Sequence, residues 1–188
     1  MSILKSSAAI KKMRKLGYAQ KIVLLIISIG IAILAARALY GPLLYQNMTA
    51  SAPIGLYYVV PGKEMVRGDY FIVSLPADLP ALKKDKGYLL LKRAAAFAGE
   101  RYTVTSGHLA YDGCQYPIKR IGSLPQLKPG IYTVPSGNIL FLNDSEYSMD
   151  SRYLGPIAEN NVVAHVQLLA DYEKITRFLE SLGGKFYE

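Results

Sequence analysis

Residues 101–117 read RYTVTSGHLAYDGCQYP. Tyr102–Thr105 is a short β-branched and aromatic run that ends at Ser106-Gly107. Leu109–Tyr111 and Cys114–Tyr116 flank Asp112-Gly113, the dipeptide that best suits a two-residue hairpin turn. This alternation of four-residue apolar runs with Gly, Pro and Asp turns predicts antiparallel strands, and it recurs in both directions. Upstream lie Leu56–Val60 before Pro61-Gly62, Asp69–Leu75 before Pro76, and Tyr88–Leu91 running into Lys92. Downstream, Ile131–Val134 and Ile139–Leu142 flank Pro135-Ser136-Gly137, and Val162–Leu169 alternates weakly. So many short runs between turn residues predict an all-β fold, a small antiparallel sheet or barrel-like domain. Only Asp171–Leu182 has helical spacing, with Asp171 placed to cap it and Gly183 to end it. It reads as a short peripheral C-terminal helix.

At the other end the character changes. Ile22–Ala36 is 15 residues without a charge, IVLLIISIGIAILAA, and the apolar run extends to Tyr40 with only Arg37 interrupting it. At the helical rise those 19 residues reach about 28 Å, close to a hydrocarbon core of about 30 Å. Arg37 near one end can snorkel to the headgroups, and Tyr40 and Tyr45 suit the interface. Two other readings of the run are a cleaved signal peptide, with Ala36-Arg37-Ala38 as an A-x-A site, and a buried helix. The charge distribution gives an orientation. Six of the basic residues and no acidic ones fall in residues 1–21; Arg37 adds one more, and the remaining 15 basic and 14 acidic residues leave +1 of the total +8 for the rest. The positive-inside rule then predicts a basic cytoplasmic tail (1–21), a transmembrane anchor (22–41) and an extracytoplasmic domain (42–188). The near-neutral body lacks the basic face of a nucleic-acid binder, so no nucleic-acid partner is expected.

A single cysteine, Cys114, excludes a disulfide scaffold, a zinc ribbon and a CxxC redox site. The two histidines stand in poor contexts for a Ser-His-Asp triad: His108 follows a turn glycine and His165 lies inside a strand-like run. No HExxH, Cys cluster, Walker loop or GxGxxG occurs, so neither a metal nor another cofactor is expected.

Three segments remain. Asn47-Met48-Thr49-Ala50-Ser51-Ala52-Pro53-Ile54-Gly55-Leu56-Tyr57 follows the apolar run, stiffened by Pro53 and turning at Gly55. Read alone, it is an ordinary juxtamembrane turn as readily as a site, because serine is common in turns. Lys92 in LLLKRAAAFAGE has apolar flanks on both sides. Burial there lowers an amine's pKa, as a lysine base requires, although a snorkelling lysine on an edge strand gives the same pattern. In Ser148-Met149-Asp150-Ser151-Arg152-Tyr153-Leu154-Gly155, Asp150 and Arg152 share a face if extended, or pair within a turn.

Taken together, S-x-P-x-G-L-Y, the K-R before G-E, and S-x-D-S-R-Y-x-G resemble the boxes of type I signal peptidases, with the lysine 41 residues after the serine. The resemblance covers roughly residues 22–165. Ala52-Pro53 stands where the bacterial housekeeping enzymes carry a methionine, and N-x-T-x-S-x-P-x-G-L-Y is similar to the conjugative-transfer (TraF-type) branch. A glycine-aspartate-asparagine segment of the family is only partly kept, as Asn143-Asp144-Ser145. The resemblance implies a membrane-anchored Ser/Lys endopeptidase of the cytoplasmic membrane, its catalytic domain periplasmic. Ser51 would be the nucleophile and Lys92 the general base. Thr49 would complete the oxyanion hole and Ser148 orient the amine; Asp150 and Arg152 would support them as an ion pair, and Arg93 is placed to join that network. The implied partners are membrane lipid and an exported precursor, a pilin above all, whose new ends some members join into a ring. The rival expectation is a non-catalytic, membrane-anchored β-domain that scaffolds a secretion or pilus assembly.

Overall fold

Asp112 and Gly113 take positive φ values of 51° and 74°, and Tyr111 faces Cys114 across them, so the hairpin forms where the Asp-Gly pair predicts it. The computed structural model describes residues 17–62, 64–120, 124 and 126–183. Most of the basic tail (1–16) lies outside the described residues. The described chain divides after Leu43.

The first unit holds helix α1, Tyr18–Tyr40. It starts four residues earlier than the uncharged run, because Tyr18, Ala19 and Gln20 continue the helix from Gly17. Its length and composition are sufficient to cross a membrane, and its side chains are not buried by protein. Ser28, the polar side chain in the middle of the run, donates back to the Leu25 carbonyl at 2.8 Å and so is satisfied within the helix.

The second unit is all-β, as the turn-punctuated runs predict. Its strands are β1 (Leu44–Asn47), β2 (Gly55–Val59), β3 (Tyr70–Ser74), β4 (Leu89–Ala96), β5 (Arg101–Val104), β6 (His108–Tyr111), β7 (Cys114–Pro117), β8 (Gly130–Thr133), β9 (Asn138–Phe141), β10 (Ile157–Ala158) and β11 (Val162–Asp171). They form two antiparallel sheets, ordered β1-β2-β11-β3-β4-β9-β10 and β7-β6-β5-β8. The ten-residue β11 pairs with both β2 and β3 and carries a register shift in each ladder. Helix α2 (Ser151–Leu154) follows β9, and helix α3 (Tyr172–Ser181) follows β11, capped by the Asp171 carboxylate, which accepts from Lys174 N at 3.0 Å.

Two local features position the site. Asn47 at the end of β1 faces Gly55 at the start of β2, so residues 48–54 close a hairpin with Ser51 at its middle. Gly55 is required there: a Cβ would lie 2.1 Å from the Ala170 carbonyl oxygen of β11. In the sequence, the apolar run before Lys92 suggests a strand ending at Leu91. Instead β4 continues through Ala96, because Ala94, Ala95 and Ala96 are buried and pack against β9 and the smaller sheet. Lys92 is therefore mid-strand, directly across the ladder from Phe71.

Candidate active site

The β1–β2 loop is folded around one side chain. Asn47 is 7% exposed. Its Nδ2 donates to the carbonyls of Thr49 (2.9 Å), Ala52 (3.1 Å) and Pro53 (3.1 Å). Its Oδ1 accepts from the Thr49 N–H (3.2 Å) and the Thr49 hydroxyl (2.8 Å). From the second strand, the enclosed Tyr57 hydroxyl donates to the Pro53 carbonyl at 2.8 Å and fixes the far side of the loop. Thr49 Oγ1 and Ser51 Oγ lie 3.0 Å apart.

Ser51, Thr49 and Lys92 line one cavity of about 290 Å³, walled further by Tyr45, Tyr57, Tyr88 and the β4 residues Leu89–Leu91. No hydrogen bond joins Ser51 to Lys92 among the described residues; the amine donates instead to Ser148 Oγ at 3.1 Å. Contacts between a nucleophile and its base often close only when substrate binds.

Lys92 is 3% exposed. Burial lowers its pKa to about 8, with Asp150 pulling it back up and Arg152 pushing it further down. A lysine in this range is partly neutral near pH 7 and can accept a proton. Its backbone is held as firmly as its side chain. Asn143, buried two residues past the end of β9, accepts from Arg93 N through Oδ1 (2.8 Å) and donates to the Leu91 carbonyl through Nδ2 (3.2 Å). One side-chain amide thus bridges the peptides on either side of Lys92 where the β9 ladder has run out.

Asp150 and Arg152 are both fully enclosed and meet in a two-pronged ion pair, Nε–Oδ1 at 2.8 Å and Nη2–Oδ2 at 2.7 Å. Of the two arrangements open in the sequence, the turn is the one formed: Asp150 caps the four-residue α2 by accepting from Arg152 N at 3.1 Å. Asp150 also accepts from Asn143 N (3.0 Å), and Arg152 donates to the carbonyls of Pro117, Asn143 and Ser145. Desolvating both charges is tolerable only because the remaining donors and acceptors are filled. The pair ties residues 143–152 into one rigid segment carrying Ser148 beneath the amine. Arg93 stands outside this pair; its guanidinium binds Asp144 and its backbone binds Asn143.

The structure thus brings Thr49, Ser51 and Lys92 to one cavity and places Ser148, Asp150 and Arg152 behind the lysine. The histidines lie elsewhere. His108 Nδ1 meets Thr105 Oγ1 at 3.0 Å in a turn, while His165 stacks on Phe71 and its Nε2 is 3.1 Å from Asp69 Oδ2. Among the described residues, no cluster of three His, Cys, Asp or Glu side chains could hold a metal ion. Two organising residues, Asn47 and Asn143, have no role assigned in the sequence reading. The signals they give are that Asn47 opens the N-x-T-x-S box and ends a strand before a turn, and that Asn143 opens the partly kept Asn143-Asp144-Ser145 segment.

The chain is similar to a plasmid transfer protein TraF from Escherichia coli, at 26% identity over 73% of this chain and 89% of the relative. It is similar to a conjugal transfer protein TraF from Agrobacterium tumefaciens (strain 15955), at 29% identity over 73% of this chain and 87% of the relative. Among solved structures, a signal peptidase I from Enterococcus faecalis V583 is matched at 19% identity and a TM-score of 0.38, over 56% of this chain and 98% of that one. The model of the signal peptidase family, peptidase S26, matches residues 18–170, from the start of α1 almost to the end of β11, and the chain belongs to that family.

Proposed function

We propose that the protein is a serine endopeptidase working through a Ser51/Lys92 dyad, anchored by α1 in the cytoplasmic membrane with its β-domain on the extracytoplasmic side. The observation that carries this reading is a buried lysine with a pKa lowered to about 8, lining the same cavity as a serine held on a rigid loop. In acylation, Ser51 Oγ attacks the scissile carbonyl carbon while its proton passes to Lys92 Nζ. The oxyanion is held by the Thr49 hydroxyl and the Ser51 amide. The C–N bond then breaks, and the Lys92 ammonium returns the proton to the leaving amine. Deacylation repeats the sequence with water, or with an amine, as nucleophile. No histidine is needed, because burial alone makes the lysine a base near neutrality.

The names of the relatives, plasmid transfer and conjugal transfer protein, support a substrate that belongs to a conjugative-transfer apparatus. The proposed substrate is an exported precursor of a conjugative-transfer apparatus, a pilin precursor carrying a leader peptide. Co-expression of the full chain with a candidate precursor, read by intact mass, tests this. A leader-free product from wild type and none from Ser51→Ala supports the reading, and a cyclic product is lighter than the hydrolysed one by one water. Equal processing by Ser51→Ala contradicts it.

A further inference from the structure

The amide orientation of Asn47 is not ambiguous. Three carbonyl oxygens surround one end and a backbone N–H points at the other, so only Nδ2 at the first and Oδ1 at the second satisfies them all. The consequence reaches the nucleophile. With Oδ1 as an acceptor, the Thr49 hydroxyl must be the donor in their 2.8 Å contact. A hydroxyl has one proton, so Thr49 Oγ1 can only accept in its 3.0 Å contact with Ser51 Oγ. The hydrogen-bond chain therefore runs from Ser51 to Thr49 to Asn47. In the free protein the Ser51 proton is directed at Thr49, and the proton that would serve the oxyanion is directed at Asn47.

We infer that Asn47 is a positioning residue of the reaction, which holds the Thr49 hydroxyl in place for the oxyanion and releases its proton when the tetrahedral intermediate forms. This rests on the reading of Ser51 as nucleophile and Thr49 as oxyanion donor. The geometry makes the release inexpensive. Oδ1 also holds the Thr49 N–H at 3.2 Å, so when the hydroxyl turns to the oxyanion, Oδ1 keeps a partner and no buried acceptor is orphaned. Meanwhile the two Nδ2 protons, one of them shared, hold the carbonyls of residues 49, 52 and 53 in register, so Thr49 Oγ1 does not drift as its proton turns. An alanine at 47 would leave the hydroxyl free to rotate and the loop carbonyls without their shared donor.

The test is a double-mutant cycle on the full-length protein in detergent, with a leader-bearing precursor as substrate. Asn47→Ala is expected to lower kcat about 10- to 100-fold with KM within about twofold, the pattern of a residue acting only in the transition state. Thr49→Val is expected to lower kcat about 100-fold or more. The double variant should fall only slightly below Thr49→Val, because Asn47 acts through the hydroxyl that is already gone. If Asn47→Ala fails to fold, Asn47→Ser, which leaves room for a water, replaces it in the cycle. Multiplying losses, or a lowered melting temperature with kcat unchanged, would overturn the inference and leave Asn47 as a purely structural residue. Undiminished cleavage by Ser51→Ala would instead remove the peptidase reading itself, whatever Asn47 does.

Discussion

Lys92 Nζ donates to Ser148 Oγ at 3.1 Å, and both residues are enclosed by protein. Ser148 lies on the segment clamped by the Asp150–Arg152 pair, and Lys92 lies on the strand clamped by Asn143. The amine is thus aimed by two supports that are joined to each other at Asn143. Ser148→Ala removes the aim but leaves the base, so kcat should fall about tenfold, the worth of one neutral hydrogen bond. A loss as large as that of Lys92→Met would make Ser148 a reacting group instead.

The pH dependence follows from the lysine. Its pKa is lowered to about 8, and only the neutral amine accepts a proton. kcat/KM should therefore rise about tenfold per pH unit below pH 8 and level off above it. Asp150 raises this pKa, so Asp150→Asn should move the limb to lower pH in whatever fraction remains folded. A limb moving to higher pH would contradict the assigned electrostatics.

The same burial has a stability consequence of definite sign. Unfolded, Lys92 titrates near 10.5; folded, near 8. Between those values the unfolded chain binds more protons, so stability rises with pH across the window, and the full penalty is present below pH 8. Lys92→Met removes it and should stabilise the protein at pH 7 by up to about 3 kcal/mol, the size of that shift. The gain should shrink toward pH 10. Denaturant unfolding at pH 7 and pH 10 measures both.

Thr49 separates hydroxyl chemistry from packing. Thr49→Ala should lower kcat about 10²- to 10³-fold with little change in KM, the usual loss of one oxyanion donor. Thr49→Ser keeps the hydroxyl and should retain most activity. Equal losses in steady-state assays of the two variants would assign Thr49 to packing.

Legibility in the sequence tracked how local each determinant is. The hairpin at Asp112-Gly113, the helix capped by Asp171 and the apolar α1 each depend on neighbours in the chain, and each could be read there. Strand β1 could not: Leu-Tyr-Gln-Asn has no clear alternation and forms because β2 offers it an edge. The continuation of β4 through three alanines depends on β9, some 45 residues away. At the site, Ser51, Lys92 and Asp150–Arg152 stood out through their box-like spacing. Asn47 and Asn143 belong to the same boxes but carry no readable role there, because their importance lies in which backbone groups surround them, and only the folded chain brings those together.

Lys92→Arg bears most directly on the dyad. Its guanidinium stays protonated at any working pH, so it preserves charge and approximate length while abolishing the base. Full-length protein in detergent is treated with a serine-directed acylating probe and read by intact mass and peptide mapping. The dyad predicts a single adduct on Ser51 in wild type, forming faster as pH rises toward 8, and none in Ser51→Ala or Lys92→Arg. A wild type that never labels would leave a membrane-anchored scaffold. An adduct on Ser51 in folded Lys92→Arg at the wild-type rate would contradict Lys92 as the base.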